Sequence, residues 1–399
     1  MHDVPGDPPP CDLAILGGGL AGGLVALALA AHRPELDVRI FEQGARLGGH
    51  HVWSFFASDL PAGGPELVEP LIAHRWEGYD VRFPGLSRSL PTPYSSANGA
   101  RLDAAVRAAL PADRIVSGIT VASADAEGVT LADGTRHRAR AVLDTRGAYG
   151  LPCLSGGWQK FVGQTLRTAT PHGLTQPVVM DATVEQLDGY RFVYCLPFSA
   201  TDVFVEDTYY SDTPELDVAA LRTRIADYAA GAGWSIDEIT YEETGVLPVI
   251  ADGDFAAFWK AGGDLPRAGV RAGLMHPMTS YSIPDAVEFA MHLTTLDTLR
   301  GDALSRTSHD WAERHWRQGR FYRMLSKMLF GASEGPDRWR MLARFYALPA
   351  GLIERFYAGH STALDMARVL AGKPPVPISA ALASLAGRGR PLADLGAVS

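Results

Sequence analysis

A chain of 399 residues is long enough for two or three folding units and a sizeable core. Acidic residues outnumber basic ones, 45 to 36, which removes any global electrostatic reason to bind nucleic acid. Three scattered cysteines, Cys11, Cys153 and Cys195, exclude a disulfide framework and a zinc site and fit a reducing interior.

The first twelve residues carry acids and prolines but no Lys or Arg, so no secretory leader is expected there. Leu13 to Ala31 is an uncharged run of 19 residues, the length of a membrane span. Five of those residues are glycine, each costing a helix about 1 kcal/mol relative to alanine. A strand, a turn and a helix explain the run better than a span does. Asp12 to Leu16 is an apolar stretch suited to a strand buried on both faces. Gly17-x-Gly19-x-x-Gly22 follows, then a helix over Leu24 to Ala31, then a second strand over Val38 to Phe41 closed by Glu42. In such a unit Gly17 permits the tight turn. Gly19 lets the backbone approach a pyrophosphate, and Gly22 lets helix and strand pack closely. The helix N-terminus faces phosphates, and Glu42 takes a pair of ribose hydroxyls.

Arg46-Leu-Gly48-Gly49 adds a second glycine pair just after that acid. The combination resembles the FAD-binding two-dinucleotide-fold flavoproteins more than simple NAD dehydrogenases. The resemblance implies an extended FAD, contacts from Gly48 and Gly49, and a later segment closing over the cofactor. His50 and His51 would then lie near the flavin, either as cofactor contacts or as structural hydrogen-bonding residues.

Val52 to Pro93 reads as irregular, punctuated by Pro and Gly. Arg101 to Leu110 reads as a helix. Ile115 to Ala122, Val129 to Leu131 and Ala141 to Asp144 read as strands. Thr165 to Asp212 is strand-rich, with two strands, Arg191–Pro197 and Asp202–Thr208, around a Pro-Phe-Ser-Ala turn. Leu216 to Ala232 reads as a helix and Val270 to Leu274 as a strand. A loop from Met275 to Pro284 leads into a helix at Asp285, and the chain from Leu304 is mostly helical. The expected fold is α/β. A Rossmann-like FAD domain is assembled from residues 1–90, 91–165 (with a short substrate-domain excursion) and 266–303. Residues 166–265 form a strand-rich substrate domain, and residues 304–399 a helical C-terminal region.

Several segments together resemble bacterial lycopene beta-cyclases. They are Asp181-Ala-Thr-Val, Gly189 to Pro197, Val205-Glu-Asp-Thr-Tyr-Tyr210, His276-Pro-Met-Thr-Ser-Tyr281-Ser, Arg320-Phe-Tyr-Arg-Met-Leu and Gly372 to Pro377. The likeness runs from residue 12 to about 385. Departures are small: the serines around Tyr281 vary, and Gly18 stands where alanine is common. The resemblance implies a redox-neutral isomerase that closes the ends of lycopene into beta-ionone rings, through gamma-carotene to beta-carotene. It implies reduced FAD as cofactor and NAD(P)H as electron source. It also implies a cytoplasmic protein peripheral to the inner face of the membrane, with other carotenoid enzymes as further partners.

Cyclisation begins by protonating an isolated alkene, which is a poor base. The acid must be a protonated carboxyl in an apolar pocket, where burial raises its pKa by about 3–5 units. Glu206 matches the family's acid position and sits in an apolar, aromatic strand; the plain alternative is a half-exposed strand glutamate. Asp207 points to the opposite face of that strand and is structural. Trp53, Phe55, Tyr209 and Tyr210 are candidate pocket aromatics that would stabilise a cation, or ordinary core aromatics. His276, Pro277 and Tyr281 are expected at the cofactor, their segment covering the flavin with backbone N–H groups; a loop histidine capping its own turn is the other reading of His276.

Residues 300–372 carry 12 Lys or Arg against 7 Asp or Glu. Basic residues at 314, 317, 320, 323 and 327 interleave with Trp316, Phe321, Tyr322 and Leu325. This suits an anionic bilayer or a solvated helix face. An FAD-dependent hydroxylase or desaturase acting on a polyprenoid, and a non-catalytic flavin or carotenoid carrier, are the competing functions.

Overall fold

The computed structural model describes residues 9–372 and 375–395. Positions 373 and 374 of the Gly372–Pro377 segment, and the first eight residues, lie outside the described residues. The chain opens with β1 (Leu13–Leu16), α1 (Leu20–His32) and β2 (Val38–Glu42). β1 is wholly buried, as an apolar central parallel strand must be. α1 begins directly after Gly19, a turn earlier than expected, and carries Gly22 and Gly23 inside its first turns.

Val52–Pro93 is not irregular. It holds β3 (Val52–Phe56), α2 (Gly64–Val68), β4 (Ile72–Trp76), β5 (Tyr79–Phe83) and β6 (Leu86–Leu90). Turns at Gly78 and Gly85 keep these strands at five residues each, too short for a periodic signal to emerge. β7 (Tyr94–Asn98) and α3 (Gly99–Ala109) come next, with the Asn98 side chain capping α3. Then come β8 (Ile115–Ser117), β9 (Val121–Asp125), β10 (Gly128–Leu131), β11 (Arg136–Arg138) and β12 (Val142–Asp144). The expected strand over Ile115–Ala122 is thus broken in two at Gly118, whose φ is +74°.

These strands build three sheets and lend β5 and β6 to a fourth. The order β12-β1-β2-β8 is all parallel, the core of the dinucleotide-binding half. β9 to β11 form an antiparallel meander, and β3-β7-β4 a small antiparallel sheet. The fourth sheet contains β13 (Leu154–Thr168), β14 (Val178–Asp181), β15 (Tyr190–Pro197), β16 (Asp202–Ser211) and, after α4 (Val218–Gly231), β17 (Ile236–Gly253). Its order is β17-β13-β16-β15-β14-β5-β6. The expected boundary at 165 therefore falls inside β13, and β5 and β6, from the first expected segment, complete the large sheet.

The central strands of the seven-stranded sheet are covered on both faces. One face, with Val162, Val193, Val203 and Val205, is covered by Leu221, Ile225 and Ala229 of α4. The other is strongly aromatic and meets the dinucleotide-binding half and the C-terminal helices. α5 (Phe255–Ala261) leads to Val270–Leu274, which is not a strand. Gly269 and Gly273, both with left-handed φ, wind this stretch into a single 3-10 turn. α6 (Ile283–Thr294) then packs on α1, sealing the cofactor half. The remainder is helical: α7 (Gly301–Gln318), α8 (Arg320–Gly331), α9 (Trp339–Tyr346), α10 (Ala350–Tyr357), α11 (Ala363–Leu370) and α12 (Ile378–Ala386). Among the described residues no helix is long and apolar enough to cross a membrane.

Candidate active site

The glycine turn is built as its spacing demands. Gly17 has φ +94°, closed to side-chain-bearing residues without strain. A Cβ on Gly22 would strike the Gly17 carbonyl and the Thr145 hydroxyl, so only glycine lets α1 sit this close to β1. A Cβ on Gly19 would meet nothing within 4 Å, and its side of the turn is open for a ligand to approach. Glu42 braces the turn, accepting from Gly18 N at 2.6 Å and Gly44 N at 2.7 Å. A carboxylate has lone pairs left for a ribose diol beyond these two bonds. Gly48 and Gly49 both take left-handed φ, and Gly48 N donates to Gly18 O at 2.8 Å. The second glycine pair is thereby tied to the first. These residues have the form of a site for an extended dinucleotide, whose pyrophosphate would meet the start of α1.

A cleft of about 260 Å3 opens beside this loop, lined by Gly49, His50, His51, Phe198, Thr165 and Tyr241 among others. Thr165 and Tyr241 lie on the aromatic face of the large sheet, which connects the cofactor loop to Glu206.

On β16 the alternation is clean. Phe204, Glu206, Thr208 and Tyr210 face the aromatic cluster, while Val203, Val205, Asp207 and Tyr209 face α4. Glu206 keeps an accessible edge. Burial pushes its carboxyl up to about 8. The Thr208 hydroxyl, donating at 2.5 Å, pulls it partly back, and the carboxylates of Glu243 and Asp207 push it further up. At neutral pH the group is held largely as the acid. Tyr194 lies directly opposite on β15, and its hydroxyl meets that of Tyr94, which in turn lies 3.0 Å from the hydroxyl of Tyr281. Phe192, Tyr210, Phe56 and Tyr357 extend this aromatic wall.

Three of the four expected pocket aromatics are elsewhere. Tyr209 faces α4, where its hydroxyl donates to Asp207 at 2.6 Å. Phe55 and Trp53 point into the core of the cofactor half. β3 gives the aromatic cluster its other parity, Val52 and Phe56. Tyr210 alone is on the expected face, and its hydroxyl donates to Met278 O at 3.1 Å.

The segment of His276, Pro277 and Tyr281 is a closed turn. His276 Nδ1 accepts from Met278 N at 3.3 Å and Thr279 N at 3.2 Å. Nε2 therefore carries the proton and donates to Phe356 O at 3.1 Å. Burial pushes the imidazole down to about 4, so it is neutral and occupied with capping. The N–H groups of residues 278 to 281 are all engaged within the turn, against the expectation that they reach a flavin. Pro277 accepts from Ile250 N, and Ser280, at φ 59°, is anchored to Pro248 O. Tyr281 joins the tyrosine group facing Glu206's side of the sheet.

The basic helix is also turned inward. Phe321, Tyr322 and Arg323 are buried, the Arg323 guanidinium lies over Trp316, and Lys327 pairs with Asp252 at 2.7 Å.

Residues 12–383 match the family described as "Lycopene cyclase protein". A lycopene beta-cyclase of Pseudescherichia vulneris is 44% identical over 93% of this chain and 96% of its own length. One from a Paracoccus strain is 44% identical over 94% of this chain and 97% of its own. Among solved structures, a geranylgeranyl bacteriochlorophyll reductase-like protein of Thermoplasma acidophilum covers 92% of this chain and 97% of its own, at 13% identity and TM-score 0.54. A probable FAD-dependent monooxygenase of Pseudomonas aeruginosa covers 85% and 100%, at 15% identity and TM-score 0.54. These two share the fold. The glycine turn, the aromatic face and the match along nearly the whole length agree, and the chain belongs to the lycopene cyclase family.

Proposed function

We propose that this protein cyclises the ends of lycopene to beta-ionone rings, through gamma-carotene to beta-carotene, as an isomerase with no net redox change. The observation that carries the reading is Glu206: a carboxyl held as the acid at neutral pH, opposite Tyr194 on an aromatic sheet face.

Gly17, Gly19, Gly22, Glu42, Gly48 and Gly49 would hold FAD, with NAD(P)H as the source of its electrons. Held there in its reduced form, FAD would supply negative charge to the site. The chain's residues do the rest. Glu206 gives its proton to the terminal alkene. Thr208 fixes the orientation of the carboxyl. The rings of Tyr194, Phe192 and Tyr210 present π faces to the cation, each worth about 0.5–2 kcal/mol. The same packed wall excludes water, which would trap the cation as an alcohol.

Lycopene dissolves in bilayers, so the protein must meet one. Four of the six most exposed large apolar side chains among the described residues are Leu364 and Leu370 on α11 and Ile378 and Leu382 on α12. Exposed Arg368, Arg388 and Arg390 accompany them. Apolar side chains beside arginines suit the surface of an anionic bilayer, and this pair of helices supports membrane contact better than α7 and α8.

The test is turnover of lycopene by the FAD-loaded protein under anaerobic, reducing conditions. Unchanged product mass with blue-shifted absorbance is expected. A product heavier by one oxygen atom, or lighter by two hydrogens, overturns the reading in favour of a hydroxylase or desaturase.

A further inference from the structure

Ring closure needs two proton transfers, one in and one out, and the residue for the second is legible in the register of the large sheet. Gly163 on β13 is paired on one side with Glu206 of β16 and on the other with Glu243 of β17. Tyr194 of β15 extends the row. Residues directly opposed across strands share a face. Tyr194, Glu206, Gly163 and Glu243 therefore form one row on the aromatic face, with the two glutamate backbones two strand spacings apart, about 9.5 Å.

Among the described residues no polar side chain stands between them in this row. Gly163 has no side chain, and a Cβ there would collide with the Phe204 ring, which leans over the gap. One strand step away, a Cβ on Gly245 would collide with the Phe161 ring in the same manner. Two glycines and two phenyl rings make an apolar floor, flanked by one carboxyl on each side. The two carboxyls thus stand at opposite edges of one apolar strip of the sheet face.

The two carboxyls are furnished differently. Among the described residues Glu206 receives only the Thr208 hydroxyl. Glu243, buried, is an acceptor for Val52 N at 3.1 Å and the Tyr241 hydroxyl at 3.3 Å. His51 Nδ1 lies 3.6 Å from the same oxygen, and the His51 ring is more than half exposed on the cleft. Glu243 thus lies close to an imidazole that reaches solvent, a group able to carry a proton away.

We infer that Glu243 is the base that removes the ring proton, working across the Gly163 gap from the acid Glu206. The inference rests on the cyclase reading and assigns its second half-reaction. The O–H bond of Glu206 breaks and a C–H bond forms at the terminal alkene, leaving a tertiary cation. The next double bond supplies the electron pair for a new C–C bond, which moves the cation into the ring. A C–H bond beside it breaks, its electrons form the ring alkene, and the proton goes to the Glu243 carboxylate. One proton has passed from Glu206 to Glu243, and no electron is gained or lost. His51 passes the proton to water, and water reprotonates Glu206. Because the base stands at one edge of the floor, its position selects which C–H bond breaks and so the place of the ring double bond.

The test compares Glu243→Gln, Glu243→Asp and Glu206→Gln, each loaded with FAD and given lycopene in heavy water. Glu243→Gln is expected to retain FAD by its absorbance and to form beta rings roughly 100- to 10,000-fold more slowly. Its recovered lycopene should carry deuterium, because protonation still occurs and reverses, and any ring product should be enriched in other double-bond isomers. Glu243→Asp should recover beta-ring formation in part. Glu206→Gln should show neither rings nor exchange. Parent-like beta-ring formation by Glu243→Gln overturns the assignment, as does a FAD-loaded Glu243→Gln that shows no exchange. Loss of FAD from both Glu243 variants makes the residue a structural support and overturns it too. Exchange or rings in Glu206→Gln would instead remove the acid from the cyclase reading and leave the Glu243 result to stand on its own.

Discussion

Glu206 and Asp207 are adjacent in sequence and stand on opposite faces of one sheet. Asp207, fully buried on the α4 side, receives Arg191 Nε at 2.7 Å and the Tyr209 hydroxyl at 2.6 Å. Glu206, on the aromatic side, has no cation partner among the described residues. The same chemistry is used once to hold the sheet and once to hold a proton, and the difference lies in what each face offers.

The first prediction concerns pH. The Glu206 carboxyl titrates at about 8 in the fold, against an ordinary 4.5. The acid form is the active one, so the cyclisation rate should fall as pH rises through about 8. Between 4.5 and 8 the folded state binds more protons than the unfolded, so this group's contribution to stability declines as pH rises across that window. Glu206→Gln should abolish ring formation while making the protein more stable than the parent at pH 8. A rate profile flat from pH 7 to 9 would show that another group supplies the proton.

Asp207 should behave as a structural residue. Asp207→Asn leaves the buried Arg191 guanidinium without its counter-ion, and breaking such a pair costs about 3–5 kcal/mol. Denaturant unfolding should show that loss. The molecules that stay folded should retain the deuterium exchange expected of Glu206.

Gly22→Ala should fail at the cofactor. The added methyl collides with the Gly17 carbonyl and the Thr145 hydroxyl and forces α1 off β1. Overpacking of this kind costs about 1–3 kcal/mol. FAD affinity, read by flavin fluorescence, should fall at least tenfold in the folded protein. Gly19→Ala has room for its methyl in the bare turn, so any loss of affinity there reports a clash with the ligand itself.

Membrane contact should follow α11 and α12. Leu364→Glu with Leu382→Glu should weaken binding to vesicles containing anionic lipid, measured by co-sedimentation. Charge reversal at Arg317 and Arg320 should have the smaller effect, because the aromatic residues of that region are buried beneath them. The opposite ranking would return the contact to α7 and α8.

Local chemistry made much of this readable from the chain. The turn from Gly17 to Gly22 announces itself because each glycine has a steric reason within a few residues. The opposition of Glu206 and Asp207 follows from strand alternation, and the short turn after Pro197 sets Tyr194 against Glu206. Parity failed at β3, where Trp53 and Phe55 are the more conspicuous aromatics but Val52 and Phe56 join the aromatic cluster. Nothing in a five-residue strand says which side is covered by which half of the protein. Val270–Leu274 has a strand's composition, yet the glycines at 269 and 273 impose a turn. Glu243 was the hardest to see. It sits among Glu242, Tyr241 and Thr244 in a polar stretch, and it meets Glu206 only through β13, whose register with β17 is set some 80 residues earlier in the chain.

Thr145 donates its hydroxyl to both Leu16 O and Gly17 O at 2.8 Å, and β1 pairs with β12 through Ala14 and Val142. The first strand made is therefore finished by a partner that leaves the ribosome about 130 residues later. Until then the glycine turn has its local sequence but not its fastening. β1 can pair with β2 as soon as that strand is made, but its other edge and the fastening of the turn wait for β12.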